Sequence, residues 1–235
     1  MAAPVIETHA LGKTFGFTPV LRESDFQLIP GHAAVIIGGN GSGKSTLLSI
    51  LAGLIGPTEG HALVFGVDTR HFTARYRRRL GMVSHQSFLY PNLTARENLE
   101  FYARLYGVPN AHKAAEYWLD RIALMDFADE RVSAFSRGME QRLAAARALI
   151  HGPLLLLLDE PFAALDSDGI GLIKSLVTSA LSEGCSLVAT AHAPFEIEGV
   201  EFELYEIDRG RIVPYQEKEE PRFSGRLRSL LGPRS

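Results

Sequence analysis

The segment GGNGSGKS, made of Gly38, Gly39, Asn40, Gly41, Ser42, Gly43, Lys44 and Ser45, is followed by Thr46 and matches the pattern GxxxxGK[ST]. Glycines let the backbone close around phosphate oxygens with its N–H groups turned inward. Lys44 supplies a point charge for the terminal phosphates, and the Ser45 hydroxyl is a ligand for Mg²⁺. A second constellation closes the run LLLLLDEP, where Asp159 and Glu160 stand side by side. A carboxylate at the exit of a buried strand beside a phosphate loop is placed to hold Mg²⁺ through water. Its neighbour is placed to orient or deprotonate an attacking water. The chemistry of the two segments together is phosphoryl transfer to water.

The elements around these residues are those the chemistry needs. Ala33 to Ile37 (AAVII) is a continuous apolar run, as a strand buried on both faces of a parallel sheet requires. After the glycine cluster, Leu47, Leu48, Leu51 and Leu54 recur at helical spacing until Gly56-Pro57. Leu154 to Leu158 predicts a second fully buried strand and Leu187 to Thr190 a third. Ahead of the loop, Val5-Ile6, Val20-Leu21 and Phe26 to Ile29 read as short strands separated by turns. Thr94 and Glu97 form a capping box, and Ala95, Leu99, Tyr102 and Tyr106 then follow one helical face to Gly107. Helices are also predicted over 111–124 and 137–151. The section over about 87–152 therefore reads as a helical insertion in an α/β domain. From Pro214 the sequence is polar, with Pro221, Pro233, Arg222, Arg226, Arg228 and Arg234, and reads as a loosely held tail.

Composition sets the outer limits. The chain has 235 residues, 46% of them hydrophobic, with 24 Lys plus Arg against 27 Asp plus Glu. That size closes one core without staples, and the lone Cys185 has no partner for a disulfide, which suits a reducing compartment. A net charge of −3 argues against nucleic acid as a partner, because gripping a phosphate backbone needs a strongly basic face. Apolar runs such as Leu154 to Leu158 fall far short of the roughly 20 residues of a membrane span. The opening MAAPVIETHA lacks the pattern of a secretory signal, so a cytoplasmic location is expected.

In this order the motifs resemble the ATP-binding subunits of ABC transporters, over about residues 5 to 213. The segment FSRGMEQR, Phe135 to Arg142, resembles that family's signature. Ser136 and Gly138 are kept, while Phe135, Arg137 and Met139 depart from the common form. A serine and glycine at a helix N-terminus make an anion site, which in the family closes on the γ-phosphate held by the opposite subunit. Gln86 resembles the family glutamine that reaches Mg²⁺ and links the core to the helical subdomain. Ala163 to Asp166 (AALD) resembles the segment that communicates between ATP sites, with Ala163 where serine is common. His192 resembles the histidine that contacts the γ-phosphate, although Ala191 and Ala193 alter its surroundings. Phe15 resembles the aromatic that stacks on adenine, and Phe17 is close enough to compete. The remaining histidines, at 9, 32, 61, 71, 85, 112 and 151, show no ligand spacing and read as solvated or locally hydrogen-bonded. His85, next to Gln86, has a second option, a place near the site.

The resemblance implies a P-loop NTPase (RecA-like) core with an N-terminal antiparallel β subdomain and an inserted helical subdomain. The ATP-binding domain would span 1–213 and the tail 214–235. It also implies ATP and Mg²⁺ as ligands and a homodimer clamping two nucleotides. Integral membrane permease subunits would hold the chain peripherally on the cytoplasmic face of the membrane. They would dock on Ser87 to Leu93 and the helix starting at Thr94, where Phe88, Leu89 and Tyr90 suit either a docking groove or internal packing. Within the family, HQSFLYPNLTARENLEFYARLYG, FSRGM and LLLLLDEPFAALD look most like the CcmA-type ATPases of cytochrome c biogenesis, the haem exporter group. That likeness implies CcmB-like and CcmC-like membrane partners. The alternatives are the ATPase of a drug, lipid or polysaccharide exporter, and a non-transport ABC protein acting on ribosomes or DNA.

Overall fold

A computed structural model describes residues 3–163 and 165–216. In chain order the strands are β1 (Ile6–Phe15), β2 (Thr18–Leu28), β3 (Ala33–Ile37), β4 (Glu59–Val64), β5 (Val67–Asp68), β6 (Leu80–Val83), β7 (Leu155–Asp159), β8 (Ser186–Ala191), β9 (Phe202–Asp208) and β10 (Arg211–Pro214). The helices are α1 (Lys44–Leu51), α2 (Ala74–Arg77), α3 (Ala95–Tyr106), α4 (Ala111–Arg121), α5 (Arg137–Leu149) and α6 (Ser167–Ser182). An antiparallel sheet of order β2-β1-β4-β5 covers one side of a six-stranded sheet of order β10-β9-β3-β8-β7-β6. The second sheet is parallel except where β10 turns back along β9. This is the P-loop core with an antiparallel β subdomain and a helical insert.

Alternation along the central strands shows why they read as uninterrupted apolar runs. Ala34 and Ile36 of β3, with Leu155 and Leu157 of β7, face α1 and the antiparallel sheet. Ala33, Val35 and Ile37, with Leu156 and Leu158, face α5, α6 and the helical insert. Both faces are dry, so every position must be apolar.

Several boundaries moved for tertiary reasons. Helix α1 stops at Gly53, whose φ of +67° leaves the helix, and not at Gly56-Pro57. A Cβ on Gly53 would lie 2.9 Å from the Phe72 ring, so Phe72, remote in sequence, fixes that stop. Leu54 is left half-exposed, and Leu154 is also exposed because β7 starts one residue later. Val20-Leu21 and Phe26 belong to one strand, β2, rather than two. Helices α4 and α5 end at Arg121 and Leu149, short of 124 and 151. The sequence reading did not identify β4, β6, β9 or β10. Pro214 lies in β10 and Tyr215 N–H donates to Leu204 O, while the expected tail from 217 on lies outside the described residues.

Helix α5 joins the insert to the core. Its buried Arg147 donates to the Met82 carbonyl of β6, and its guanidinium lies 5.4 and 5.5 Å from the Phe88 and Tyr102 ring centres. One turn on, His151 stacks on Tyr106 with ring centres 3.9 Å apart, and its Nε2–H donates to Leu80 O at 3.0 Å. Nδ1 is buried with no partner among the described residues. Burial pushes this imidazole from 6.5 down to about 4. Between those values the unfolded chain takes up a proton that the folded chain refuses. Stability is therefore intact above pH 6.5 and falls as pH drops toward 4, by about 2–3 kcal/mol at pH 4.5. Urea unfolding at pH 7 and 4.5 should show this loss in the wild type and a flatter profile in His151→Phe. Equal losses in both proteins would place the acid sensitivity elsewhere.

Candidate nucleotide site

The site lies at the C-terminal ends of β3, β7 and β8, three neighbours in the parallel sheet. Strand β3 delivers the glycine loop, whose Gly38 N–H is anchored on Ala191 O at 3.1 Å. Gly43 has a φ of +111°, and a Cβ there would sit 3.0 Å from the side chains of Val20 and Leu21, so only glycine suits the position. Gly43 also occupies the N-cap of α1 and has no side chain to cap the helix. The first N–H groups of α1, from Lys44, Ser45 and Thr46, are therefore left to a ligand, with the positive end of the helix dipole behind them. Lys44 is 5% exposed, and its ammonium donates to Gly38 O at 2.8 Å and Gly39 O at 3.1 Å.

Strand β7 brings Asp159 beside this loop, and Asp159 Oδ1 accepts from Thr190 Oγ1 of β8 at 2.7 Å. The next residue, Glu160, has a φ of +51°, a left-handed conformation that costs a non-glycine residue about 1–3 kcal/mol. Its N–H is held by Thr190 O and Oγ1, both at 3.2 Å. That backbone turn aims the carboxylate across the loop, where Oε1 lies 3.3 Å from Lys44 Nζ and 3.0 Å from His192 Nε2. His192 directly follows β8. Lys44, Glu160 and His192, from three segments far apart in sequence, thus converge at one point.

A cleft runs outward from there, lined by the loop from Asn40 to Thr46, Glu160, Val20, His85 and Phe15. Phe15, half-exposed at the end of β1, lines this cleft, whereas Phe17 is fully exposed and does not. The donors suit a hard divalent cation: an exposed Ser45 hydroxyl and a buried carboxylate whose Oδ2 makes no hydrogen bond to the described residues. Among the described residues no group of three or more His, Cys, Asp or Glu side chains converges to hold a metal alone. A cation here would take its remaining ligands from phosphate oxygens and water.

Other expected residues lie elsewhere. Gln86 lines neither this cleft nor the adjoining one beneath α5; the Ser84 hydroxyl binds its carbonyl at 2.8 Å in a turn that leaves His85 over the site. His85, by contrast, lines both clefts. Nothing in the spacing of residues 83–87 distinguished the two. Ser136 caps α5, its Oγ accepting from Met139 N–H at 3.3 Å, and neither it nor Gly138 lines the phosphate-loop cleft. Asp166 caps α6 by accepting from Gly169 N–H at 2.8 Å, and it also lies outside the cleft. Two contacts couple the first turns of α5 to the site: Gln141 Nε2 donates to Pro161 O, and Ser87 Oγ to Glu140 Oε1, both at 2.6 Å.

A phosphate loop on a parallel sheet, a buried aspartate on a neighbouring strand and a glutamate aimed across the loop define a phosphate-loop nucleoside triphosphatase. The ABC transporter family profile matches residues 21–163, and the chain belongs to that family as an ATPase that powers a transporter. It is 31% identical over 211 residues to the linearmycin resistance ATP-binding protein LnrL of Bacillus subtilis (strain 168), covering 89% of this chain and 68% of that one. With the glutamine transport ATP-binding protein GlnQ of Escherichia coli (strain K12) the identity is 37% over 214 residues, covering 88% and 89%. A dimeric ATP-binding cassette, MJ0796, described in a post-hydrolysis state bound to ADP and Pi, superposes with a TM-score of 0.80 at 28% identity, covering 88% of this chain and 96% of that one. Among the described residues no helix is long and apolar enough to cross a membrane.

Proposed function

We propose that two copies of this chain clamp two ATP molecules and pass the energy of hydrolysis to membrane-embedded permease subunits. The observation that carries this reading is the convergence of Lys44 and His192 on one oxygen of Glu160. A carboxylate flanked by two cationic or donor groups is held where a terminal phosphate and its attacking water would meet. In this reading Phe15 stacks on adenine, and the backbone from Gly38 to Thr46 wraps the phosphates. Lys44 balances the terminal charge, Ser45 and Asp159 hold Mg²⁺, and His192 steadies the phosphate that Glu160's water attacks. The bound metal supplies charge neutralisation on the phosphate oxygens. Ser136 and Gly138 act on the nucleotide of the partner copy, which accords with their position outside this chain's own cleft, and Asp166 lies on the facing edge.

The docking surface is the groove between Leu54, Met82, Phe88, Tyr102, Tyr106 and Arg147. Leu89 packs into the core while Phe88 and Tyr90 stay exposed, so the apolar loop divides between the two uses. Such a face suits a short segment of a permease on the cytoplasmic side of the membrane. For the cargo we retain the haem reading with CcmB-like and CcmC-like permeases, which rests on the motif likeness alone; neither relative named above is described by haem. The test is to co-express the chain with these permeases, recover the complex in detergent and measure ATP hydrolysis. Mg²⁺-dependent turnover that rises when the permeases are present is expected. A chain that hydrolyses nothing even in its membrane complex would be a nucleotide-binding regulator instead. Recovery with a drug or amino-acid permease, and not with these two, would replace the cargo.

A further inference from the structure

Between Asp68 and Glu97 the chain carries six arginines and no acid. Three of the six are accounted for inside the molecule. Arg70 pairs with Asp68 at 2.6 Å, Arg79 lies over the Phe65 ring at 3.9 Å, and Arg96 pairs with Asp129 at 2.9 Å. Among the described residues Arg75, Arg77 and Arg78, all exposed, have no carboxylate partner, and Arg78 reaches only the Leu105 carbonyl, at 3.4 Å. They sit on and just after α2, whose Tyr76 stacks on Phe72 with ring centres 5.7 Å apart. Phe72 is buried beside Gly53, so the stack pins this short helix to the core and leaves its arginines outside. Like charges gathered without counter-charges repel one another, a cost that an external anion would relieve.

The cluster also has a direction. Arg77 lines the groove assigned above to the permease, and the only other charge among the lining residues is Arg147. Leu54 in that groove and Leu105 next to Arg78 are half-exposed. Basic residues with apolar side chains beside them make a surface that rests on an anionic leaflet. Guanidinium forks take phosphate oxygens, and aliphatic groups enter the headgroup boundary. We propose that Arg75, Arg77 and Arg78 bind the phosphates of anionic lipids at the membrane surface, so that the chain is held by the leaflet as well as by its permease. This rests on the docking reading of the groove, which sets the side of the molecule that faces the membrane. An acidic protein face would meet the same charges, but Arg75 and Arg78 lie outside the groove lining, where a docked permease segment leaves them free for lipid.

The test is co-sedimentation of the full chain with vesicles of phosphatidylcholine, alone or mixed with phosphatidylglycerol. The wild type should bind the mixed vesicles, ignore the neutral ones, and come off as salt is raised to about 0.5 M, where the Debye length shrinks to a few ångströms. One basic residue at an anionic surface is worth about fivefold in binding, so the triple variant Arg75→Gln, Arg77→Gln, Arg78→Gln should bind at least about tenfold more weakly. Its ATP affinity should match the wild type, which checks that it is folded. A control with Arg222, Arg226, Arg228 and Arg234 changed to Gln removes more charge, from outside the described residues, and should keep most of the binding. Equal binding to both kinds of vesicle would overturn the proposal, as would a loss that follows the C-terminal arginines instead. So would a triple variant that binds vesicles like the wild type; if that variant also failed to join the permeases in detergent, the arginines would serve an acidic protein face. A wild type that binds the mixed vesicles yet joins no permease would bring down the docking reading alone.

Discussion

Glu160→Gln is expected to bind ATP and Mg²⁺, to hold two copies of the chain together, and to hydrolyse ATP at least about a hundredfold more slowly. A positioned base contributes roughly 10²–10⁴ to such a reaction, and the amide removes that basicity while keeping size and shape. The substitution also removes the negative charge now 3.3 Å from Lys44, leaving the ammonium freer to meet a phosphate. Binding should therefore hold or improve while turnover collapses. Single-turnover hydrolysis, with gel filtration in ATP and Mg²⁺, reads both. A variant that stays monomeric with nucleotide and turns over at the wild-type rate would remove Glu160 from the role given to it.

Asn98→Ala should cost about 2–4 kcal/mol, a fall in Tm of about 6–12 °C for a chain of this size. Asn98 is fully buried on α3 and holds the loop before that helix. Its Oδ1 accepts from Tyr90 N–H at 2.8 Å, and its Nδ2 donates to Tyr90 O, Thr94 O and Leu93 O at 3.0, 2.9 and 3.4 Å. Alanine leaves the Tyr90 N–H without its partner and takes one of two donors from Tyr90 O, Leu93 O and Thr94 O, which keep the N–H groups of Leu93, Val132 and residue 98. Because the loop includes Phe88 and Tyr90, it should also become the first site of proteolytic cutting. A Tm within 1 °C of wild type would show that the loop is held by other means.

What the sequence made legible was local. AAVII and the leucine run announce strands dry on both faces, Thr94 and Glu97 announce a helix start, and GGNGSGKS carries its chemistry in adjacent residues. The capping box forms as expected, with both of its hydrogen bonds present. What stayed hidden depends on contacts between distant segments. Phe72 sets the end of α1, and the β1–β2 hairpin decides that Phe15 and not Phe17 meets the cleft. The turn from Ser84 to Gln86 decides which of two adjacent side chains overlooks Asp159. Strand β9 escaped notice because FELYEID mixes charges into a half-buried strand near the sheet edge, where no dry run is required.

Helix α5 acts as a strut. Its 13 residues span about 20 Å, with Ser136 at one end and Arg147 braced between two rings and the Met82 carbonyl near the other. Regular backbone hydrogen bonding makes such a rod stiff along its axis. A permease segment pressing on the Phe88 and Tyr102 groove would therefore tilt the rod about its seat on β6. Its far tip, bearing Ser136, would sweep toward or away from the neighbouring copy. On the proposed docking, a small displacement at the groove becomes a larger one at the Ser136 tip, where two clamped copies would meet over the nucleotide.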